Sequence, residues 1–238
     1  VKMEKDYDEI SAYHYAKYRP PLHERILARC LSGDQYYQSG LDIGCGTGKS
    51  TIALSKYCKG VIGIDPSLAM LKNAITHPKL AYQHFNGTDL IFQDDSFELI
   101  TFAGSLFYGK SQRLLDETIR VGQPAAQIIV YDFEIHQREI LESLMQKSIP
   151  ESDFYYDHAT DFSGLNTNGL EKRIGRIEET VLDITATEAT HLLLSDKQHY
   201  RWVSSVFGTE KLEQEVQRQL QGSSILSEDK VIARNYYK

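Results

Sequence analysis

Residues 41–51, LDIGCGTGKST, set three glycines at alternate positions, Gly44, Gly46 and Gly48, between an apolar run and a polar one that suits a helix. Few arrangements satisfy that spacing. A phosphate-cradling P-loop needs a glycine five places before Gly48, and Ile43 stands there; a dinucleotide fingerprint starting at Gly44 needs a third glycine where Lys49 sits. What is left is a G-x-G-x-G bend, preceded two residues earlier by Asp42, at which a buried strand turns into a helix. Without Cβ atoms the chain there can take left-handed dihedrals, and a ligand can lie against bare main chain.

Around the bend, the stretch from about 20 to 133 alternates strand-like and helix-like segments, which predicts a doubly wound α/β sheet. PPLHERILARCLSG reads as a helix with Leu22, Ile26 and Cys30 on one face, SGLDIG as a buried strand, and KSTIALSKYCKG as a helix closing at Gly60. GVIGID is the next strand. PSLAMLKNAITH follows as a helix capped by Asp65 with Pro66 in its first turn. LAYQHF, FELITFAG and AQIIVYDF read as three more strands, with the helix SQRLLDETIRVG between the last two. After Glu134 the rhythm changes. HQREILESLMQKSI suits a helix, 150–175 has no clear period and reads as an irregular cap, EETVLDITATEAT alternates as a strand, the segment from Ser195 to Leu220 carries helical spacing, and KVIARNYYK is a terminal strand. The expectation is one domain over 1–238: an N-terminal helical segment to 35, a ligand-binding core at 36–133, an inserted cap at 134–175, and closing strands and helix at 176–238.

Composition narrows the function. The chain is 41% hydrophobic and 25% charged, with 6 Pro and 16 Gly, so a packed globular core is expected. A net charge of −7, from 33 acidic and 26 basic side chains with no basic stripe, disfavours nucleic acid as the partner. Cys30, Cys45 and Cys58 include no C-x-x-C pair, so neither a disulfide framework nor a metal site is suggested, and a reducing compartment is expected. No window approaches the apolar length of a membrane span and no secretory leader is legible, which together predict a soluble, cytoplasmic protein, expected as a monomer or homodimer.

An acid on the next strand sharpens the ligand. Asp65 ends GVIGID, where an open α/β sheet holds a ribose, so bend and carboxylate together specify an adenosine-like group. Three readings use such a site: a nucleoside-cofactor enzyme, a nucleoside-binding module without catalysis, and a nicotinamide-dependent oxidoreductase. Lys49 counts against the last.

LDIGCGTG, VIGIDPSLAML and DLIFQDDSFELITFAGSLFYG resemble the successive motifs of the class I S-adenosylmethionine-dependent methyltransferases, strongly over 36–133. Within that family the chain looks most like the small-molecule group that includes trans-aconitate and quinone-biosynthesis methyltransferases, whose early Y-x-x-Y-R-P segment is similar to YAKYRP at 15–20. The resemblance implies a Rossmann-like sheet of seven strands, the last antiparallel, and S-adenosylmethionine as cofactor, with S-adenosylhomocysteine as product. It also implies that Gly44, Gly46 and Gly48 face the methionine portion, that Asp42 orients the bend and the amino group, and that Asp65 holds the ribose. Leu68, or Met70 nearby, would flank the adenine, with Asn86 and Gly87 at its edge and Asp89 matching the acid before the leucine. Ala103 opens the segment AGSLFY that passes beside the sulfonium, where Phe107-Tyr108 replaces the His-Trp of a related group. Arg19 would clamp a carboxylate, by resemblance the cofactor's.

The activated methyl group asks the protein mainly to position a nucleophile and exclude water, which is worth roughly 7–11 kcal/mol in well-oriented cases. A general base is needed only for a hydroxyl or amine acceptor. No catalytic residue is fixed; His14, His136, His158, His199 and Glu134 are the candidates, each more often a packing or surface residue. Tyr15, Tyr18, Phe107, Tyr108, Tyr155 and Tyr156 are the candidates for lining an acceptor pocket, as aromatic walls with polar tips. Tyr13, Phe154 and Phe162 share those crowded stretches. No N-P-P-Y or D-P-P-Y segment follows the fourth strand, which counts against base methylation, while protein methylation stays open.

Overall fold

Hydrogen bonding from Gly44 and Cys45 amides back to the Ile64 carbonyl oxygen, at 2.8 and 3.0 Å, ties the glycine bend to the end of the neighbouring strand. The rest of the sheet is organised about that junction. The computed structural model describes residues 9–18, 20–31, 34–135, 137–149, 156–221 and 225–237. The elements are α1 (Glu9–Lys17), α2 (Leu22–Cys30), β1 (Tyr37–Ile43), α3 (Lys49–Leu54), β2 (Cys58–Asp65), α4 (Leu68–Lys72), β3 (Leu80–His84), β4 (Phe97–Ala103), α5 (Leu106–Gly109), α6 (Gln112–Val121), β5 (Gly122–Ile135), α7 (Arg138–Met145), β6 (Glu171–Ile184), α8 (Ala186–Leu194), α9 (Lys197–Phe207), α10 (Leu212–Leu220) and β7 (Ile225–Tyr237).

Five strands lie in the order β3-β2-β1-β4-β5. All four pairings are parallel, with Ile43 opposite Ile64 on one side and Phe102 on the other. Parallel strands covered on both faces carry near-continuous apolar runs; β4 and β5 come close to this, while β1 keeps only Leu41 and Ile43 around the buried Asp42. The register slips once, between Phe97 and Leu99, where Pro124 and the left-handed Ala125 (φ 67°) loop out of β5.

The chain divides into two compact units. The sheet unit comprises Pro21–Phe133, Tyr156–Glu178 and Val231–Lys238. Its core joins Leu41, Ile43, Ile64, Ile100, Phe102, Leu114, Ile128 and Val130. Phe162 belongs to it too. It is 1% exposed and meets Phe102 edge to face at 5.7 Å, so this ring of the aperiodic segment is core, contributing about 1.5–3 kcal/mol by burial. Cys58, 0% exposed at the start of β2, and Cys45, 4% exposed in the bend, both have thiols pushed up by burial, that of Cys58 to about 12.

The helical unit comprises Val1–Pro20, Glu134–Tyr155 and Glu179–Lys230. Within it α8 packs against α1, α9 and α10, and α7 against α9 and α10.

Several boundaries differ from the sequence expectation for local reasons. The helix after the bend ends at Leu54, because Cys58 already pairs with Tyr37 in the sheet. Ser67, not Asp65, caps α4 by accepting from the Met70 amide at 3.3 Å. Thr185 and Glu188 form a capping box that converts ATEAT from strand to the start of α8. Gly208 splits the long C-terminal helix into α9 and α10, and β6 begins already at Glu171, inside the stretch read as irregular.

Candidate functional site

All three bend glycines have positive φ, 75°, 55° and 83° for Gly44, Gly46 and Gly48. Their surroundings separate their roles. A Cβ at Gly48 would stand 2.1 Å from the Tyr82 hydroxyl, and one at Gly44 would stand 2.3 Å from Ser105 Cβ; both are packing demands. A Cβ at Gly46 would meet nothing within 4 Å, and the same holds at Gly87. Gly46 is therefore the bend position that leaves main chain bare toward open space.

Asp42 and Asp65, on adjacent strands, do different things. Asp42 is 0% exposed and accepts from Ser50 Oγ, from Thr51 Oγ1 at 2.7 Å and from Thr101 Oγ1 at 2.8 Å. It thereby ties the first turn of α3 and strand β4 to β1; burial raises its carboxyl pKa against the opposing pull of these three hydroxyls. Any influence of Asp42 on a ligand passes through the bend it holds. Asp65 is 6% exposed; its Oδ2 accepts from the Gly46 amide at 2.8 Å and its Oδ1 from the Ser67 amide at 2.8 Å. Each carboxylate oxygen offers two lone pairs, so both retain an acceptor site after these bonds. Burial raises the Asp65 pKa first, and the Ser67 and Gly46 amides pull it back.

The loop after β3 is built on Asn86. Its Oδ1 accepts from the amides of Thr88 and Asp89 at 3.0 and 2.8 Å, while its Nδ2 donates to Asp89 Oδ2 at 2.8 Å. Asp89 in turn holds Arg113, whose Nε donates to Oδ1 at 2.7 Å. Asn86 thus shapes the loop, and the main chain at Gly87 borders open space. Leu68 is 56% exposed on α4, and Ala103 ends β4 half-buried beside Gly104.

At the carboxyl ends of β4 and β5 stands a second cluster. Phe107, Tyr108 and Tyr156 share ring contacts, with Phe107 and Tyr156 at 4.6 Å and Tyr108 and Tyr156 at 5.5 Å. The Tyr156 hydroxyl lies 2.8 Å from both the Gly104 carbonyl oxygen and Asp132 Oδ2, one proton serving two acceptors. Burial, then the Asp132 charge, raises its pKa, so it remains a donor. His158 Nδ1 is 3.1 Å from Asp132 Oδ2; an acceptor carboxylate there puts the proton on Nδ1. A crevice lined by Gly104, Phe107, Asp132, Tyr156 and His158 runs along this cluster. Asp132 was not singled out in the sequence. It sits one residue past the apolar run of β5, and only its contacts reveal it.

The other candidates are dispersed. Tyr15 lies on α1 and Tyr18 just after it, both in the helical unit. His14 is buried against His191, and His199 stacks on Trp202 at 5.8 Å. Arg19, His136, Phe154 and Tyr155 lie outside the described residues.

A parallel open sheet with a glycine bend after its first strand and an acid at the end of its second is a Rossmann-like arrangement, in which ligands bind outside the carboxyl ends of the strands. Residues 41–130 match the methyltransferase domain family. Over 94 residues the chain is 36% identical to the demethylmenaquinone methyltransferase of Corynebacterium kroppenstedtii, covering 39% of this chain and 41% of that one. Over 111 residues it is 32% identical to a candidate methyltransferase of Dictyostelium discoideum, covering 43% and 42%. The chain spans less than half the length of the curated relatives it matches first. Among solved structures it shares the fold of a candidate type II methyltransferase from Anaeromyxobacter dehalogenans, with TM-score 0.62 and 16% identity over 92% of this chain and 97% of that one. A candidate methyltransferase from Bacillus halodurans C-125 follows at TM-score 0.54 and 13% identity, over 90% and 98%. Over residues 41–130 the chain is thus similar to methyltransferase domains, and it shares their α/β Rossmann-like fold. The cofactor of such domains is S-adenosylmethionine, and the Gly46 opening beside the Asp65 carboxylate fits a ribose-bearing ligand.

Proposed function

We propose that the protein transfers a methyl group from S-adenosylmethionine to an oxygen, nitrogen or carbon of a small molecule. One observation carries this reading: the Asp65 carboxylate reaches the amide of Gly46 at 2.8 Å, at the one bend glycine whose missing Cβ faces open space. When bound, S-adenosylmethionine supplies a sulfonium whose methyl group is already activated for transfer. Asp65 would accept from the ribose hydroxyls, Gly44, Gly46 and Gly48 would present main chain to the methionine portion, and Leu68 and Gly87 would flank the adenine, with Asn86 supporting Gly87. Ala103 would lie beside the sulfur.

The cluster of Phe107, Tyr108 and Tyr156 suits an aromatic or partly apolar acceptor. For an acceptor with a proton to lose, His158, oriented by Asp132, is the assigned general base. Arg19 is assigned to a carboxylate. We also assign β7 and β6, which follow β5 in strand order, to a seven-stranded sheet with the last strand antiparallel, and 134–175 to an acceptor-specifying insertion within one domain. Among the described residues no helix is long and apolar enough to cross a membrane.

Calorimetric titration with S-adenosylmethionine and S-adenosylhomocysteine tests the site. Binding of both is expected, followed by turnover when small phenols, acids and amines are screened. Failure of the folded chain to bind either nucleoside would overturn the proposal.

A further inference from the structure

The helical unit carries a cluster that the methyltransferase reading does not use. His14 on α1, His191 on α8 and Glu213 on α10 each offer a ligand atom, and the three atoms lie within 4.8 Å of one another. The two imidazoles are 4% and 7% exposed and meet Nδ1 to Nδ1 at 3.0 Å. As a hydrogen bond, this contact requires opposite tautomers in the two rings. A cation needs no proton between them, only both lone pairs, and 3.0 Å is the separation of two nitrogens about 2.1 Å from one ion at a near right angle. Glu213 Oε1 stands 3.7 Å from His191 Nε2, too far for a hydrogen bond. It lies by the ring's other nitrogen, so reaching an ion between the two Nδ1 atoms requires this 41%-exposed side chain to swing.

Beside the cluster lies a cavity of about 500 Å³ whose walls include Tyr13, His14, Tyr200, Thr209, Lys211 and Glu213. Three protein ligands next to an open space is the arrangement of a site that keeps a coordination position for water or a small ligand. Lys211 in the same wall would favour an anionic one. The ligands come from three helices, with 177 residues separating the two histidines, so no spacing in the sequence announces them.

We propose that His14, His191 and Glu213 bind one divalent transition-metal ion of the zinc class, with an open position toward the cavity. This is independent of the cofactor site, and the test keeps the two apart. The full chain, stripped with a chelator, is titrated with Zn²⁺ alone and with Co²⁺ as a visible-absorption probe. One equivalent per chain is expected, with a thermal midpoint raised by the metal. His14→Gln and His191→Gln should each weaken uptake by at least the roughly 10- to 100-fold that loss of even an outer-shell partner costs. Asp65→Ala should leave uptake unchanged. A folded wild-type chain that takes up no ion, or uptake undiminished in the His14→Gln/His191→Gln double variant, would overturn the proposal. Should the histidine variants fail to fold, Glu213→Gln decides: weakened uptake and an altered Co²⁺ spectrum support the site, and an unchanged spectrum overturns it.

Discussion

The two ends of the site region are built from different materials. The bend at 41–51 works through main chain: its dihedrals, two packed glycines and one open one, and the Gly46 amide that the Asp65 carboxylate accepts from. The cluster at the ends of β4 and β5 works through side chains from three separate stretches, 104–108, 131–132 and 156–158, brought together only by folding. Main-chain sites leave a mark in sequence, because only glycine tolerates their geometry. A side-chain site leaves a fainter one: Phe107, Tyr108, Tyr156 and His158 stand out singly by residue type, while Asp132, which joins two of them, shows only in its contacts.

The largest effect should come from the second region. His158→Ala should lower turnover by about 10²–10⁴-fold on a hydroxyl or amine acceptor, with cofactor affinity unchanged, as measured by steady-state kinetics beside calorimetry. Unaltered turnover would reduce that cluster to packing. In the bend, Gly48→Ala meets Tyr82 and should cost roughly 1–2 kcal/mol for the left-handed backbone plus about 1–3 for overpacking, read by denaturant unfolding. Gly46→Ala should cost the backbone share alone while weakening cofactor binding, and equal destabilisation by the two would contradict the contrast drawn between them.

Asp65→Ala should weaken S-adenosylmethionine by about 1.5–3 kcal/mol, the worth of hydrogen bonds to a charged group, roughly 10- to 150-fold. The smallest effect is in pH. Since burial raises the Asp65 pKa, cofactor affinity should begin to fall at a higher pH than an ordinary carboxylate would dictate as the solution is acidified, and Asp65→Asn should flatten that profile. Stability carries the opposite sign. The folded chain holds this proton more tightly than the unfolded one, so the contribution is full below the ordinary carboxylate range and is lost as pH rises through the raised value.

The doubly wound order and the bend were legible because alternation of apolar runs and glycine spacing are local properties. Asp65 was legible because it ends a strand that directly follows. Asp42 was legible as a residue but not in its manner of acting, since its three hydroxyl partners include Thr101, 59 residues away. Phe162 and Tyr156 looked alike in an aperiodic stretch, yet one is core and the other faces the crevice, and only tertiary packing separates them. Helix ends were misjudged where a cap outweighed a pattern, as at Thr185, where two side-chain bonds decide the boundary.

The sealed thiols of Cys45 and Cys58 give the protein a built-in clock. Cys45 is buried in the bend and Cys58 in the sheet, and each resists ionisation while buried, so alkylation at either should proceed at the pace of opening. Timing the modification of each with the nucleoside present and absent would report how firmly a ligand at the first turn latches the strands beneath it.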